Sequence, residues 1–120
     1  MNEHEKIGDA ILKINSNAKY SYRGETLDIC EILWYDGTPP ISKADIKAQF
    51  SAVEFDNSMK NLRFKRNNLL VESDWVVLPD SPIADKTAWQ NYRTELRDLT
   101  NGLTTVEEVD AVIWPTEPGA

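Results

Sequence analysis

Histidine and cysteine are almost missing from this chain: each occurs once, as His4 and Cys30, among 120 residues. A single imidazole in a terminus that frays is a poor catalytic base. With no histidine near it in sequence, Cys30 is not expected to form a Cys–His nucleophile. C-x-x-C, H-E-x-x-H and EF-hand spacings are also missing, so no metal site is expected. Cys30 has no partner for an intramolecular disulfide, which suits a reducing compartment, and its position in a strand pattern marks it as a small buried hydrophobe. The five glycines are scattered and build no phosphate-cradling loop. Asp74, Asp80 and Asp85 gather around a proline-rich turn, but aspartate is the ordinary residue of turns and helix caps. The structural reading of these acids therefore far outweighs a catalytic one. The chain is expected to be no enzyme, with no catalytic, cofactor-binding or metal-binding residue.

Long apolar runs and a basic surplus are lacking too. No stretch has the apolar length that crosses a bilayer. The start, Met1-Asn2-Glu3-His4-Glu5-Lys6, is charged and leads into an amphipathic segment, so no secretory signal is expected. Net charge is −7, the wrong sign for a protein that neutralises phosphates. The densest basic stretch, Lys60, Arg63, Lys65 and Arg66, scatters around a helix at roughly 100° per residue. It reads as a solvated helix surface. Neither nucleic acid nor membrane is an expected partner.

What is present is globular: 41% hydrophobic and 28% charged residues, too apolar for a disordered chain. Ile7, Ala10, Ile11 and Ile14 make one apolar stripe and predict a helix over residues 5–15, stopped by Asn15-Ser16-Asn17. Ala18, Tyr20 and Tyr22 alternate with polar residues, the mark of a half-buried strand over 18–23. Residues 27–35 place Leu27, Ile29, Leu33 and Tyr35 on one face and Cys30, Ile32 and Trp34 on the other. That predicts a second strand, antiparallel to the first and covered on both sides. After the break at residues 36–40, Ser42-Lys43-Ala44-Asp45 opens a helix with a capping-box-like signature. No Gly or Pro follows until Pro79, so the helix is expected to run to about Glu72, about 45 Å at 1.5 Å per residue. It carries Ile46, Phe50, Val53, Phe64 and Val71 on one side. Phe55, Met59, Leu62, Leu69 and Leu70 lie nearly opposite, leaving two surfaces to cover. Beyond the turn Leu78-Pro79-Asp80-Ser81-Pro82, Asp85 caps a helix whose Trp89, Tyr92, Leu96 and Leu99 form a seam. Asn101-Gly102 ends it. Thr105 starts a short further turn, and a proline-bounded tail closes the chain. The predicted class is α+β: short helix, antiparallel hairpin, long central helix, and C-terminal helical hairpin with an extended tail. The expected division is a module over 1–58 and a C-terminal module over 59–120 that shares the central helix.

The informative stretch is 66–98. It reads Arg66-Asn67-Asn68-Leu69-Leu70, Ser73-Asp74-Trp75, the Pro79–Pro82 turn, then Trp89, Tyr92-Arg93 and Leu96-Arg97-Asp98. Its order and spacing closely resemble the phage tail assembly chaperones, also known as tail fibre assembly proteins. In that family R-x-x-L-L-x-x-S-D-W, a D-x-P turn and W-x-x-Y-R-x-x-L-R-D recur. Members commonly end in W-P-x-x-P, matched here by Trp114-Pro115-Thr116-Glu117-Pro118. Many members carry a polar Thr after Ser-Asp-Trp, where this chain has Val76-Val77. More loosely, the first half resembles the small phage domain typified by the XkdW proteins, in which a helix, a hairpin ending near a Trp and a Pro-led helix follow in order.

The resemblance implies a bacteriophage protein that helps assemble a tail or tail fibre by binding its polypeptides in the host cell cytoplasm. The alternative it leaves open is a minor structural component of the virion tail, baseplate or fibre attachment. Ser73, Asp74, Trp75, Pro79, Pro82, Trp89, Tyr92, Arg93 and Arg97 read as structural letters of the motif. Trp75 and Trp89 are expected in a tryptophan-rich core, with Arg93 and Arg97 pairing to Asp74, Asp80 or Glu72. Phe55 and Met59, with Trp114, are the expected surface for a partner or a second copy. For Trp114, isolated among prolines, docking on a partner and packing back on the core weigh equally.

Overall fold

The computed structural model describes residues 1–119. In chain order the elements are α1 (Glu3–Ile14), β1 (Lys19–Arg23), β2 (Glu31–Tyr35), α2 (Lys43–Ala48), α3 (Phe50–Ser73), a 3-10 turn (Asp74–Val77), α4 (Lys86–Asp98) and α5 (Val106–Asp110). The class is α+β, and the chain forms two compact units, Met1–Asn57 and Ser58–Ala120.

In the first unit, Asn2 caps α1 by accepting from the Glu5 amide, and Asn15 closes it through Ile11 O. The buried stripe Ile7, Ala10 and Ile11 joins Ala18, Leu27, Cys30, Ile46 and Val53 in one core. β1 and β2 pair antiparallel, with Tyr20 opposite Trp34 and Tyr22 opposite Ile32. These four line the side facing the core. Gly8 matters at this contact: the Tyr20 hydroxyl donates to its carbonyl at 3.2 Å, and a Cβ there would stand 3.0 Å from the Tyr22 hydroxyl oxygen.

Two expectations need correction here. The second strand begins at Glu31, not at residue 27, and only one of its faces is covered. Gly24 has a φ of +117° and the Cys30 amide bonds back to Thr26 O. Residues 24–30 therefore fold as a turn that points Leu27 inward and leaves Ile29, Leu33 and Tyr35 exposed. The helix opened by Ser42, whose hydroxyl caps the Asp45 amide, is also not continuous. The Gln49 amide reaches three residues back to Ile46 O, and regular bonding resumes with Val53 N to Gln49 O. That tight step divides α2 from α3 with no Gly or Pro to announce it.

In the second unit the core is Val76, Trp89, Tyr92 and Leu96, with Leu69, Leu70, Val77, Ile83 and Trp114 packed against it. The seam read from spacing is thus the buried face of α4. Asp85 caps that helix through the Ala88 amide at 3.0 Å. Gly102, at φ +76°, follows its end. Thr105 caps α5 through Glu108 N at 3.1 Å.

Candidate interaction surface

The motif letters converge at the C-terminal end of α3. There the last carbonyls of a helix lack amide donors. Arg93, reaching across from α4, supplies them: its Nη1 donates to Leu70 O at 2.6 Å and to Ser73 Oγ at 2.7 Å. Its Nη2 donates to Asp74 Oδ1 at 2.6 Å. Ser73 is itself buried and its hydroxyl leans on Leu69 O and Leu70 O. A guanidinium at a helix C-terminus also opposes the partial negative charge of the macrodipole, and planar charge-assisted bonding fixes the crossing of the two helices. Arg97 does not share this role: it donates to Thr94 Oγ1 at 3.1 Å on its own helix.

The proline turn is held from the other side. Lys86 Nζ donates to Leu78 O at 2.8 Å and Pro79 O at 3.1 Å. Pro79 and Pro82 themselves are exposed. Trp89 and Tyr92 meet edge to face, with centroids 5.8 Å apart and planes at 89°, a favoured aromatic geometry. Burial raises the Tyr92 phenol above its ordinary pKa, and the negative charges of Glu117 and Glu72 add to it.

Trp114 is half-buried against this core with the Lys65 ammonium 4.2 Å from its ring centroid, a cation–π contact. Between α3 and the tail lies a hollow of about 330 Å³ bounded by Leu62, Lys65, Val109 and Trp114. The tail's tryptophan thus rests on its own unit.

Met59 was expected on an open surface, and the structure corrects this: it is 4% exposed. Met59, Leu62, Leu69, Leu70 and Ser73 share one face of α3, and that face is the one turned inward in the second unit. Phe55 belongs to the first unit and is half-buried.

The residues left in water are others. Phe64 is 70% exposed, Val71 67%, Trp75 51% and Leu78 51%. Spacings of seven and eleven place Val71 and Trp75 about 20° to either side of Phe64 on a helical wheel, a spread of about 40° over a length of about 16 Å. Trp75 was expected under the turn; Val76 occupies that place instead, because successive side chains of a 3-10 turn stand about 120° apart and only one of the two faces the core. The helical period puts Phe64 and Val71 on the same side as Ile46, Phe50 and Val53, one of two surfaces expected to be covered, yet both stand in water. The available signal was their polar flanks, Lys60, Asn67 and Asn68, against the unbroken apolar flank of Leu62, Leu69 and Leu70. Next to Phe64 a hollow of about 430 Å³ is lined by Lys60, Arg63 and Asn67.

Among the described residues, no group of three or more His, Cys, Asp or Glu is placed to hold a metal, and no helix is long and apolar enough to cross a membrane. No curated protein and no solved structure shows a significant match to the chain. The family model for phage tail assembly chaperone proteins matches residues 59–119, which takes in the whole Arg93 latch, the exposed stripe and the Trp114 tail. That match spans just over half of the 120 residues, and the chain belongs to the phage tail assembly chaperone family.

Proposed function

We propose that this protein works without chemistry of its own, holding a tail or tail-fibre polypeptide in the host cytoplasm until it is built into the particle. The observation that carries the reading is the stripe of Phe64, Val71 and Trp75, with Leu78 also exposed three residues on: four large apolar side chains standing in water on the family-matching unit. Contiguous exposed apolar surface marks binding sites in soluble proteins, and tryptophan is a favoured anchor in them. The rigid Arg93 latch fixes the end of α3, so the stripe is presented ready-formed and a client spends little entropy on ordering it. Of the residues the sequence suggests for this task, Met59 is buried and Trp114 is half-buried against the core of this unit.

Co-expression of the tagged chain with the tail and tail-fibre proteins of its phage tests the reading. Trp75→Ala and Phe64→Asp are expected to leave the circular dichroism unchanged and to reduce client capture at least tenfold. Capture that survives both changes would move the surface elsewhere. Mass spectrometry of purified particles distinguishes the two roles. Near-absence fits a transient chaperone, and stoichiometric presence would establish the alternative, a minor structural subunit of the tail, baseplate or fibre attachment.

A further inference from the structure

We propose that, when no client is bound, the stripe of α3 is covered by a second copy of this chain lying antiparallel to it. The inference shares its surface with the client-binding reading above and concerns the regulation of that site, but it rests on a separate observation, the order of charges along α3. Lys60, Arg63, Lys65 and Arg66 precede Asn67-Asn68, whereas Glu72 and Asp74 follow it. Lys60, Arg63 and Glu72 form no ion pair among the described residues, so their charges are free to meet a partner.

A parallel copy would place basic on basic and acid on acid, which is repulsive along the whole seam. An antiparallel copy turns the basic half of each helix over the acidic half of the other, and the two helix macrodipoles then also oppose. The apolar residues obey the same symmetry. A two-fold axis between Asn67 and Asn68 sets Phe64 against the partner's Val71 on both sides at once. It also brings Lys60 level with the partner's Trp75, whose exposed indole face is a ready cation–π acceptor. A buried asparagine in the seam is a device by which paired helices fix register and number of chains, and Asn67-Asn68 stand at the middle of this one. The patch is self-complementary, as an isologous interface requires. Such a pair keeps the stripe out of water until a client displaces the second copy.

Light scattering on the purified full chain, without client, gives the first readout. The expected mass is twice the 13.7 kDa of one chain, falling to a single chain in Val71→Asp with circular dichroism unchanged. Asn67→Cys gives a second readout that requires no disruptive change. Two copies of residue 67 lie at the axis and should form an intermolecular disulfide. Lys60→Cys should not, because its two copies are separated by about 22 Å along the helices at 1.5 Å per residue. In a third, Glu72→Lys and the double variant Lys60→Glu, Arg63→Glu should each be monomeric alone and regain the doubled mass when mixed. A wild-type chain that stays single at high concentration overturns the proposal. So does a pair that survives Val71→Asp, or cross-linking through residue 60 and not 67. Loss of client capture in Trp75→Ala with no dimer in the wild type would leave the client reading standing alone. A dimer with no client capture would do the reverse.

Discussion

Replacing Arg93 separates two accounts of the residue that joins α3 to α4. If its worth lay in the salt bridge to Asp74, removing either partner would cost about the same. The geometry says otherwise. The Asp74 side chain is 60% exposed and that of Arg93 only 13%, so the ion pair sits at the solvent edge, where such pairs contribute about 0–1 kcal/mol. The bonds to Leu70 O and Ser73 Oγ lie further in. Charge-assisted bonds of that kind contribute about 1.5–3 kcal/mol each and do not add in full. Arg93→Ala is therefore expected to lower unfolding free energy by about 2–4 kcal/mol, and Asp74→Ala by less than about 1 kcal/mol. Arg93→Lys should recover little, since one ammonium cannot reproduce a fork over three acceptors. Urea denaturation of the single variants, with Arg93/Ser73 and Arg93/Asp74 double-mutant cycles, reads the difference. The Ser73 coupling should exceed the Asp74 coupling. Equal losses in Arg93→Ala and Asp74→Ala, or an Arg93→Ala loss below about 1 kcal/mol, would refute the capping account.

Trp89→Ala removes the largest side chain of the second core, and chemical denaturation should show a loss of about 3–5 kcal/mol; a loss under about 1 kcal/mol would place the ring at the surface. Trp89→Phe should cost less than its lost volume alone suggests, because the buried indole N–H has no hydrogen-bond partner among the described residues and such an orphan costs about 1–3 kcal/mol. Gly24→Ala should destabilise by more than about 2 kcal/mol, since the residue holds φ +117° and a Cβ would lie 2.8 Å from the Cys30 Cα; the thermal midpoint reads this. Burial raises Tyr20, Tyr22 and Tyr92 above 10.0, so the folded state favours their neutral forms. That contribution is complete below the unfolded tyrosine value and lost as pH rises through the higher folded ones. Denaturation midpoints should therefore fall as the pH rises past about 10, and fall less in a Tyr92→Phe variant.

Most of what is local in this protein was legible in the chain. The α1 stripe apart from the exposed Ile14, the Tyr20/Tyr22 alternation, the Ser42, Asp85 and Thr105 caps, and the α4 seam through Leu96 all follow from spacing and cap chemistry, because each depends on residues within a few positions of one another. The motif through Ser73, Trp89 and Arg93 carried the family for a similar reason, as its letters are close in order and number. Contacts between distant segments were not legible. Both apolar stripes of α3 satisfy the same helical period, and periodicity says that each has a face without saying which element will cover it. Only the packed unit decided that Met59 and Leu62 turn inward while Phe64 and Val71 stay in water. The same holds for Val76 and Trp75: adjacent residues of similar apolar character compete for one place under the turn, and the 3-10 geometry after Ser73 awards it to the smaller. The division at Gln49 and the turn at residues 24–30 likewise arise where tertiary packing overrides an unbroken local pattern. The sequence alone determined the order and type of most elements and the family; the tertiary structure decided where β2 begins, where the central helix divides and which apolar surface remained open, because burial is a property of pairs of segments and not of either one.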